Sequence, residues 1–381
     1  MNIHLQKNAH SEGMGVFSKY AQINCAKYVV LAIAFLHWKW YIIQKCPGTA
    51  NKHLWDENKR RVSNMKKIIA IALVVLTLAS LAACGETASD TYTVGICQIQ
   101  THPALDSATQ GFKDALNAKL GEGKVEFKYQ DAGGEYTNCG TIMDGFVAEN
   151  VDLILANATG PLQAAASATS EIPILGTSVT DYATALNIEG FTGTVGCNIS
   201  GTSDLAPLDQ QAAMVQELFP DAKNVGLLYC SAEPNSVYQV NVVEDYLTEM
   251  GYTCTQFAFS DANDLASVTQ TACDGSDVIY IPTDNTCATY TESIANVVLA
   301  AGVPVVAGES GICSGCGVAT LSISYYDIGY TTGEMAAKIL TGEADISEMP
   351  VAFAPEVTKM YNAANCEALG VTIPDGYEPI A

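Results

Sequence analysis

From Tyr92 onward the chain repeats one pattern, in which a short apolar run is followed by a polar loop and an amphipathic segment. In one copy, the apolar run Val225 to Cys230 precedes a polar loop and then apolar residues at helical spacing, which are Val237, Val240, Val243, Tyr246, Leu247 and Met250. A buried strand followed by a helix is half of a parallel βα unit. The pattern therefore predicts an α/β fold with parallel sheets.

The repeats form two blocks of similar size. Apolar runs of the first block are Tyr92 to Gln98, Val125 to Gln130, Val151 to Ala156 and Ile172 to Gly176, and those of the second are Val225 to Cys230, Thr253 to Phe259, Val278 to Ile281 and Val303 to Ala307. A stretch rich in turn-forming residues, Gly193 to Asp204, separates the blocks. We expect two doubly wound, Rossmann-like lobes with a ligand cleft between them.

Further segments follow the second block: an apolar strand Val318 to Ile323, a helix Tyr326 to Leu340 and a strand Val351 to Thr358. They predict crossing hinge segments between the lobes, with hinges near Ser200 and Ser322. The expected division is residues 92–199 and 324–346 for lobe 1, and 200–323 and 347–381 for lobe 2. A chain of 381 residues is long enough for both.

Residues 65–91 predict export. Lys66-Lys67, the apolar run Ile68 to Leu78 and Leu81-Ala82-Ala83-Cys84-Gly85 have the order of a secretory signal peptide. A cysteine directly after two alanines looks like a bacterial lipobox, so we expect a signal peptide over 65–83, lipid attached to Cys84 and a tether over 84–91. The alternative is a transmembrane anchor, for which the apolar run is short.

Residues 1–64 precede this signal and do not belong to it. We interpret them as an upstream extension from a start codon assigned too early, with Met65 the initiator. Because Tyr28 to Ile43 is apolar and aromatic, a genuine additional membrane segment is the alternative. N-terminal sequencing distinguishes the two.

The chain after Cys84 is strongly acidic. It has seven lysines, no arginine and 38 acidic residues, since three of the 41 lie before Met65, which is a net charge of −31. Such a body repels nucleic acid and anionic lipid, so we expect no nucleic-acid partner. It also has no guanidinium with which to hold a carboxylate or phosphate.

Ten of the thirteen cysteines follow Cys84. Their scatter through predicted strands and helices, as at Cys97, Cys197, Cys230 and Cys254, favours buried free thiols over a disulfide framework. Cys313-Ser-Gly-Cys316 has the spacing of a redox or zinc pair. Because no second pair stands at metal-ligand spacing, we favour a loop pair or local disulfide there and expect neither metal nor cofactor.

Six motifs stand in order along the exported part of the chain: His102-Pro103-Ala104-Leu105-Asp106, SGTSDL (Ser200 to Leu205), SAEPNSVYQV (Ser231 to Val240), YIPTDNT (Tyr280 to Thr286), AGES (Ala307 to Ser310) and YYDIGYTTGEMAAKIL (Tyr325 to Leu340). Together they resemble the substrate-binding lipoproteins of ABC importers with the type I periplasmic-binding-protein fold, and more narrowly those that bind tryptophan and other aromatic amino acids. The resemblance implies an interlobe pocket lined by Gln98, His102, Asn157 and Thr159 of lobe 1 and by Ser231, Glu233, Asn235, Ser236, Thr283, Asp284, Asn285 and Glu309 of lobe 2.

A zwitterionic amino acid needs donors for its carboxylate and acceptors for its ammonium. None of the seven lysines lies in these loops, so the carboxylate depends on helix N-terminal N–H groups and hydroxyls, best provided by Ser231 to Ser236. Asp284 and Glu309 follow predicted strands and would pair with the ammonium.

Each of these assignments has a structural alternative. Ser231, Asn235 or Asp284 would only cap a helix, Glu309 would be a solvated loop acid, and His102 would only shape the turn before Pro103. The loops named contain no aromatic residue that would stack on an indole.

We expect a monomeric binding subunit, anchored through Cys84 outside the cell membrane, that closes around an amino acid such as tryptophan and delivers it to an ABC permease. A nucleoside or sugar ligand, or a sensing role for a membrane receptor, is the alternative. An enzyme is disfavoured because the sequence has no dinucleotide fingerprint after the first strand, no phosphate loop, no nucleophile elbow and no His-Glu-x-x-His, and only one histidine, His102, after Cys84.

Overall fold

The computed structural model describes residues 91–354 and 356–380. The predicted upstream extension 1–64, the signal peptide 65–83, the lipidation site Cys84 and all of the tether except its last residue lie outside these residues. Within the part that is described, no helix is both long and apolar enough to cross a bilayer.

Lobe 1 alternates strands and helices as the apolar pattern predicts. Its elements are β1 (Tyr92–Gln98), α1 (Pro103–Leu120), β2 (Val125–Asp131), α2 (Tyr136–Glu149), β3 (Leu153–Asn157), α3 (Thr159–Ala168), β4 (Ile174–Val179), α4 (Tyr182–Leu186) and β5 (Ile199–Ser203). The strands pair in parallel in the order β5-β4-β3-β1-β2. This order places β1 and β3 in the interior of the sheet, where both faces are covered.

Lobe 2 repeats the arrangement. Its elements are α5 (Leu208–Leu218), β6 (Asn224–Cys230), α6 (Pro234–Glu249), β7 (Thr253–Phe259), α7 (Ala262–Gly275), β8 (Val278–Ile281), α8 (Asn285–Thr289), α9 (Thr291–Ala301), β9 (Val305–Ala307), α10 (Ser310–Gly315) and β10 (Ala319–Ile323). The strands from β6 to β10 pair in parallel in the order β10-β9-β8-β6-β7.

The rest of the chain completes both lobes. It forms α11 (Tyr325–Leu340), a 3₁₀ turn (Ile346–Glu348), β11 (Ala352–Phe353), β12 (Val357–Tyr361), α12 (Ala363–Leu369) and β13 (Glu378–Pro379). Helix α11 returns to lobe 1 and packs on α1 at close range, since a Cβ on Gly329 would lie 2.0 Å from the carbonyl oxygen of Ala108. Strand β11 joins β5, whereas β12 pairs antiparallel with β10.

The predicted lobe boundary needs correction in two places. The division at 199/200 cuts through β5, which belongs to the first sheet up to Ser203, and Ala352–Phe353 also pairs with that sheet although it was assigned to lobe 2. Ser200, near which a hinge was predicted, therefore lies inside a strand of the first sheet, and the hinge stays a prediction. Its small residues suggested a turn, but Tyr182 packs against this strand and a Cβ on Gly201 would lie 2.4 Å from its hydroxyl.

Both faces of each sheet are buried in apolar clusters. In β1, Val94 and Ile96 face one cluster with Phe112 and Leu116, while Cys97 faces another. In β6, Leu227 and Leu228 likewise face opposite sides. This two-sided burial explains why the strands are continuous apolar runs in the sequence.

The ten cysteines of the described residues are all free thiols. Most are buried, as predicted, but Cys197 is exposed and Cys254 half-buried. The loop pair or local disulfide predicted at Cys313 and Cys316 is wrong: α10 carries Cys313, both thiols are buried, and Cys316 Sγ donates to the carbonyl of Ile312. The segment is helical because Glu309 caps it. No group of three metal-ligating side chains occurs within residues 91–354 and 356–380.

Candidate functional site

The carboxyl ends of the strands in the two sheets face each other across a cleft, where the lobes touch. Nε2 of His102 in lobe 1 lies 3.3 Å from Oδ1 of Asn285 in lobe 2. Helix α4 also contacts α6, and α1 contacts α10, across the same gap. The predicted ligand-binding residues therefore lie around a cleft whose lobes are in contact.

Gln98 and Asn157 belong to a hydrogen-bond network inside lobe 1. Gln98 Nε2 donates to Asp106 at 2.7 Å, and its oxygen accepts from Thr109 at 2.7 Å. Asn157 Nδ2 donates to the carbonyl of Leu105 at 2.9 Å and reaches Thr109 at 3.0 Å. These bonds tie β1, β3 and α1 together, so both side chains hold the floor of the cleft, while Asn157 Oδ1 remains without a partner.

Glu233 organises the lobe 2 side. Its buried carboxylate accepts from the backbone N–H groups of Asn285 and Thr286 at 3.0 and 2.9 Å, and from the Asn285 amide and the Thr286 hydroxyl at 2.7 and 2.8 Å. Because it stands at the beginning of α6 and caps α8, it joins the two loops. Its charge also places a negative group beside the N-terminus of α6, where Ser231 to Ser236 were expected to receive a ligand carboxylate.

The remaining polar residues of this side mostly bond to protein atoms. Ser231 is exposed and donates to the carbonyl of Phe259 at 3.0 Å. Asn235 Nδ2 donates to the carbonyl of Thr283 at 3.1 Å, and Ser236 is fully buried next to it. Together with the position of Glu233, these contacts argue against the α6 loop as the carboxylate site.

Asp284 and Glu309 are helix caps. Asp284 accepts from the backbone N–H groups of Cys287 and Cys230 at 2.8 and 2.7 Å, and Glu309 from those of Gly311, at 2.6 Å, and Ile312. Burial raises the pKa of Asp284 to about 7, with repulsion from Glu233 adding to it, and burial raises the pKa of Glu309 to about 7 as well. Glu309 is 2% exposed and is thus not a solvated acid. Each oxygen of both carboxylates already accepts from a backbone N–H group, so these acids have less acceptor capacity left for an ammonium than a carboxylate with an unpartnered oxygen.

Several buried polar atoms on the cleft loops have no partner at all. These are His102 Nδ1, Asn157 Oδ1, Ser178 Oγ, Asp204 Oδ1 and Asn235 Oδ1. Buried polar groups in proteins are almost always hydrogen-bonded, so exceptions call for an explanation. All five lie near the carboxyl ends of strands, and most are acceptors. A ligand with several N–H or O–H donors would satisfy them.

Asp204 was missed as a site residue although it belongs to the SGTSDL motif. It follows β5 where the chain leaves lobe 1, is 3% exposed, and accepts from the hydroxyl of Tyr325 at 3.0 Å through Oδ2 only. Burial raises the pKa of Asp204, and the nearby side chains of Thr180 and Tyr325 partly offset that increase. A buried carboxylate with one free oxygen suits a cationic group.

Tyr136 is an aromatic residue beside the cleft that the sequence did not reveal. Its ring packs on Gly160 at the start of α3, where a Cβ would lie 2.8 Å from a ring carbon. Burial, followed by the charge of Glu233, raises the pKa of its phenol, and Asp284 adds a smaller contribution. The half-buried ring thus belongs to lobe 1 and faces the acids of lobe 2. It begins a helix, five residues after β2, so no strand-end loop contains it.

Helix α3 begins without a side-chain cap. Ala158 precedes it with φ of 99°, and Thr159 and Gly160, its first two residues, are buried. The first backbone N–H groups of a helix have no intrahelical acceptor and carry partial positive charge. With the unpartnered hydroxyl of Ser178 at the end of the neighbouring β4, this helix end is better suited to a carboxylate than the acid-flanked start of α6.

A groove of about 520 Å³ lies to one side of these residues. Its walls include Pro103 and Ser107 of α1, Ser310 of α10, and Tyr325 and Tyr326 at the start of α11. None of the predicted ligand-binding residues lines it. We place the ligand site over the unpartnered acceptors of the cleft, because the groove shows no comparable unsatisfied groups.

Two doubly wound lobes with a polar cleft at their strand ends define a type I periplasmic-binding-protein fold. Residues 93–378 match the family of ABC transporter substrate binding proteins, and the chain belongs to this family. The family is one of solute-binding proteins, which confirms the predicted class.

Individual relatives agree with this assignment. The chain is 32% identical over 278 residues to a tyrosine-binding protein of Clostridioides difficile, covering 72% of this chain and 80% of the relative. It is also similar to an ABC domain from Streptococcus pneumoniae in complex with L-Trp, with 29% identity and a TM-score of 0.72 over 76% of this chain and 100% of the other. A ligand-free, open substrate-binding protein from Clostridium difficile has 32% identity and a TM-score of 0.60, covering 76% and 99% of the two chains.

Proposed function

We propose that the protein is the substrate-binding lipoprotein of an ABC importer, and that it binds an aromatic amino acid, tryptophan or tyrosine, between its lobes. Relatives named for tyrosine and crystallised with L-Trp support the ligand class. The ligand would then be delivered to a membrane permease. Since substrate-binding proteins of ABC importers act outside the cytoplasm, the proposed lipid on Cys84 would hold the monomer at the outer face of the membrane.

The observation that carries the proposal is the unpartnered carboxylate oxygen of Asp204. An ammonium group would satisfy it and form a charge-assisted hydrogen bond, which is stronger than a neutral one. Asp204 therefore replaces Asp284 and Glu309, whose oxygens are occupied, as our choice for the ammonium partner.

The other end of the amino acid fits lobe 1. We place the carboxylate at the start of α3, where Thr159, Gly160 and the hydroxyl of Ser178 offer donors, and the aromatic ring against Tyr136. The chain has no arginine after Cys84 to bind a phosphate or a second carboxylate. A neutral zwitterion is consequently favoured over nucleotides and dicarboxylic acids.

Contact between the lobes also supports binding in the cleft. The chain has a higher TM-score to the L-Trp complex, 0.72, than to the open, ligand-free relative, 0.60, at similar identities of 29% and 32%. Closure of two lobes around a ligand by rotation at crossing segments is a common form of conformational change.

Isothermal titration of the purified exported chain tests the proposal. Tryptophan and tyrosine should bind, whereas leucine, glutamate, adenosine and galactose should bind far more weakly or not at all. If heat of binding is observed only with adenosine or galactose, the ligand is a nucleoside or a sugar rather than an amino acid. Labelling with palmitate, compared between the native chain and Cys84→Ala, tests the anchor, and co-purification with a permease separates transport from sensing.

A further inference from the structure

His102 is the one histidine after Cys84, and it stands directly before α1 in the cleft. It is 7% exposed, and its two ring nitrogens have different surroundings. Nε2 lies 3.3 Å from Oδ1 of Asn285 across the cleft, whereas Nδ1 is buried and has no partner in the protein. The imidazole also does not cap the helix that it precedes.

The hydrogen on the ring can be assigned from its neighbours. Asn285 Nδ2 donates to a Glu233 oxygen at 2.7 Å, and a carboxylate only accepts, so the amide oxygen of Asn285 must face His102. An oxygen accepts, which means that His102 Nε2 carries the hydrogen. Burial lowers the pKa of His102, and the hydrogen bond with Asn285 and the charges of Glu233 and Asp106 only partly oppose this. The ring is therefore neutral, and Nδ1 is a bare acceptor.

This acceptor lies at some distance from Asp204. Strands β4 and β3 separate β5 from β1, so three spacings of about 4.8 Å put the strand ends about 14 Å apart. An aromatic amino acid measures about 7 Å from its ammonium to a ring N–H or O–H, and two hydrogen bonds of about 2.9 Å extend this to about 13 Å. One such molecule is thus close in length to the separation of the two strand ends that these acceptors follow, and Gly160, against which Tyr136 packs, follows the intervening β3.

We propose that Nδ1 of His102 accepts a hydrogen bond from the indole N–H or phenol O–H of the bound amino acid. His102 thereby selects tryptophan and tyrosine over phenylalanine, which has no ring donor and would leave a buried acceptor unsatisfied. Sites built to bond a substrate hydroxyl or N–H reject analogues that lack it much more strongly than sites that sense size alone. This inference rests on the proposed function, because it concerns the ring end of the same ligand.

Two substitutions separate the ring nitrogens. His102→Gln puts an amide nitrogen near the position of Nε2, so it keeps the contact with Asn285 and removes the acceptor at Nδ1. His102→Asn puts an amide oxygen near the position of Nδ1 and loses the contact with Asn285. Titration of tryptophan, tyrosine and phenylalanine into the native exported chain and both variants, with thermal unfolding as the check on folding, gives the test.

The native protein should bind tryptophan and tyrosine at least about tenfold more tightly than phenylalanine, since an unsatisfied buried group costs that much or more. His102→Gln should lose this preference, whereas His102→Asn should keep it even if all affinities fall. The role of His102 would be overturned, and the proposed function left standing, by either of two results. One is that the native protein binds phenylalanine as tightly as tryptophan and tyrosine; the other is that folded His102→Gln keeps the preference against phenylalanine. If none of the three amino acids binds to the folded native chain, the proposed function fails as well.

Discussion

The ring of Tyr136 lies so close to Gly160 that a Cβ at position 160 would be 2.8 Å from a ring carbon. Tyr136 begins α2 and Gly160 is the second residue of α3, so this contact brings an aromatic face to a helix N-terminus. The same ring faces Glu233 of the opposite lobe, whose charge contributes to the raised pKa of the phenol after burial. Tyr136 can thus contact an aromatic ligand whose carboxylate lies at the start of α3.

Replacement of Tyr136 by alanine should lower the affinity for tryptophan by about tenfold, because the packing of two aromatic rings is lost together with buried apolar area. Isothermal titration gives the measurement. Tyr246→Ala is the matched control, since this tyrosine is 37% exposed in the last turn of α6, whose first turn is the end that faces the cleft, and it should leave the affinity unchanged. Equal affinities for the native protein and folded Tyr136→Ala would show that the ligand does not contact this ring.

Substitution of the three buried acids of the cleft should separate ligand binding from stability. Asp204→Asn keeps the shape of the side chain but removes its charge, so affinity for the amino acid should fall by at least about tenfold, given that hydrogen bonds to charged groups contribute roughly 1.5–3 kcal/mol. Asp284→Asn and Glu309→Gln should mainly affect stability, because their oxygens accept from backbone N–H groups. Titration of the three variants distinguishes these roles. Loss of binding in either cap variant, with Asp204→Asn unaffected, would restore the first assignment.

Sequence patterns predicted the fold better than the roles of individual acids. The short apolar run around Leu153 to Ala156 predicted a buried strand in a sheet covered on both faces, and the structure confirms it. Asp204, Asp284 and Glu309 all follow strands, and the sequence gives no means of telling which carboxylate is occupied by backbone N–H groups. That depends on whether a short helix begins directly after the acid, as α8 and α10 do.

Two further features depend on contacts between distant parts of the chain. Tyr136 begins a helix, and only the packing of α2 against α3 brings its ring to Gly160. The lobe boundary was misplaced because Ser200, Gly201 and Thr202 are typical turn formers, while Tyr182 requires small residues beside it in a strand. Such tertiary requirements are not expressed in local propensity.

Asp284 and Glu309 also predict how stability changes with pH. Their pKa values rise from 3.8 and 4.5 to about 7 in the folded protein, so the folded state binds more protons than the unfolded state between these limits. Their contribution to the free energy of unfolding is therefore full below about pH 4 and is lost as pH rises to about 7. Urea unfolding at pH 5 and pH 8 measures it.

The variants isolate this contribution from that of the other acids. Asp284→Asn and Glu309→Gln should each reduce the loss of stability between pH 5 and pH 8 by an amount on the order of 1–3 kcal/mol, whatever their effect on stability at either pH. Asp345→Asn serves as the control, because Asp345 is exposed to solvent and its pKa is lowered by hydrogen bonds from Ser347. If Asp284→Asn or Glu309→Gln loses as much stability between pH 5 and pH 8 as the native protein does, the carboxyl replaced in that variant stays ionised from pH 5 to pH 8.

Gly201 tests the position of β5 in the first sheet. Its φ is +146°, and a Cβ there would lie 2.0 Å from the carbonyl oxygen of Gly176 and 2.4 Å from the Tyr182 hydroxyl. Gly201→Ala should therefore lower the free energy of unfolding by about 2–4 kcal/mol, through overpacking and backbone strain together. Gly190→Ala is the matched control: its φ of +68° carries the strain, but no atom lies within 4 Å, so it should cost about 1 kcal/mol. Thermal and urea unfolding of both variants separate the cost of overpacking at position 201 from the cost of backbone strain alone at position 190. Equal losses of stability would place residue 201 in an open turn, as its sequence suggested, rather than in a strand beneath Tyr182.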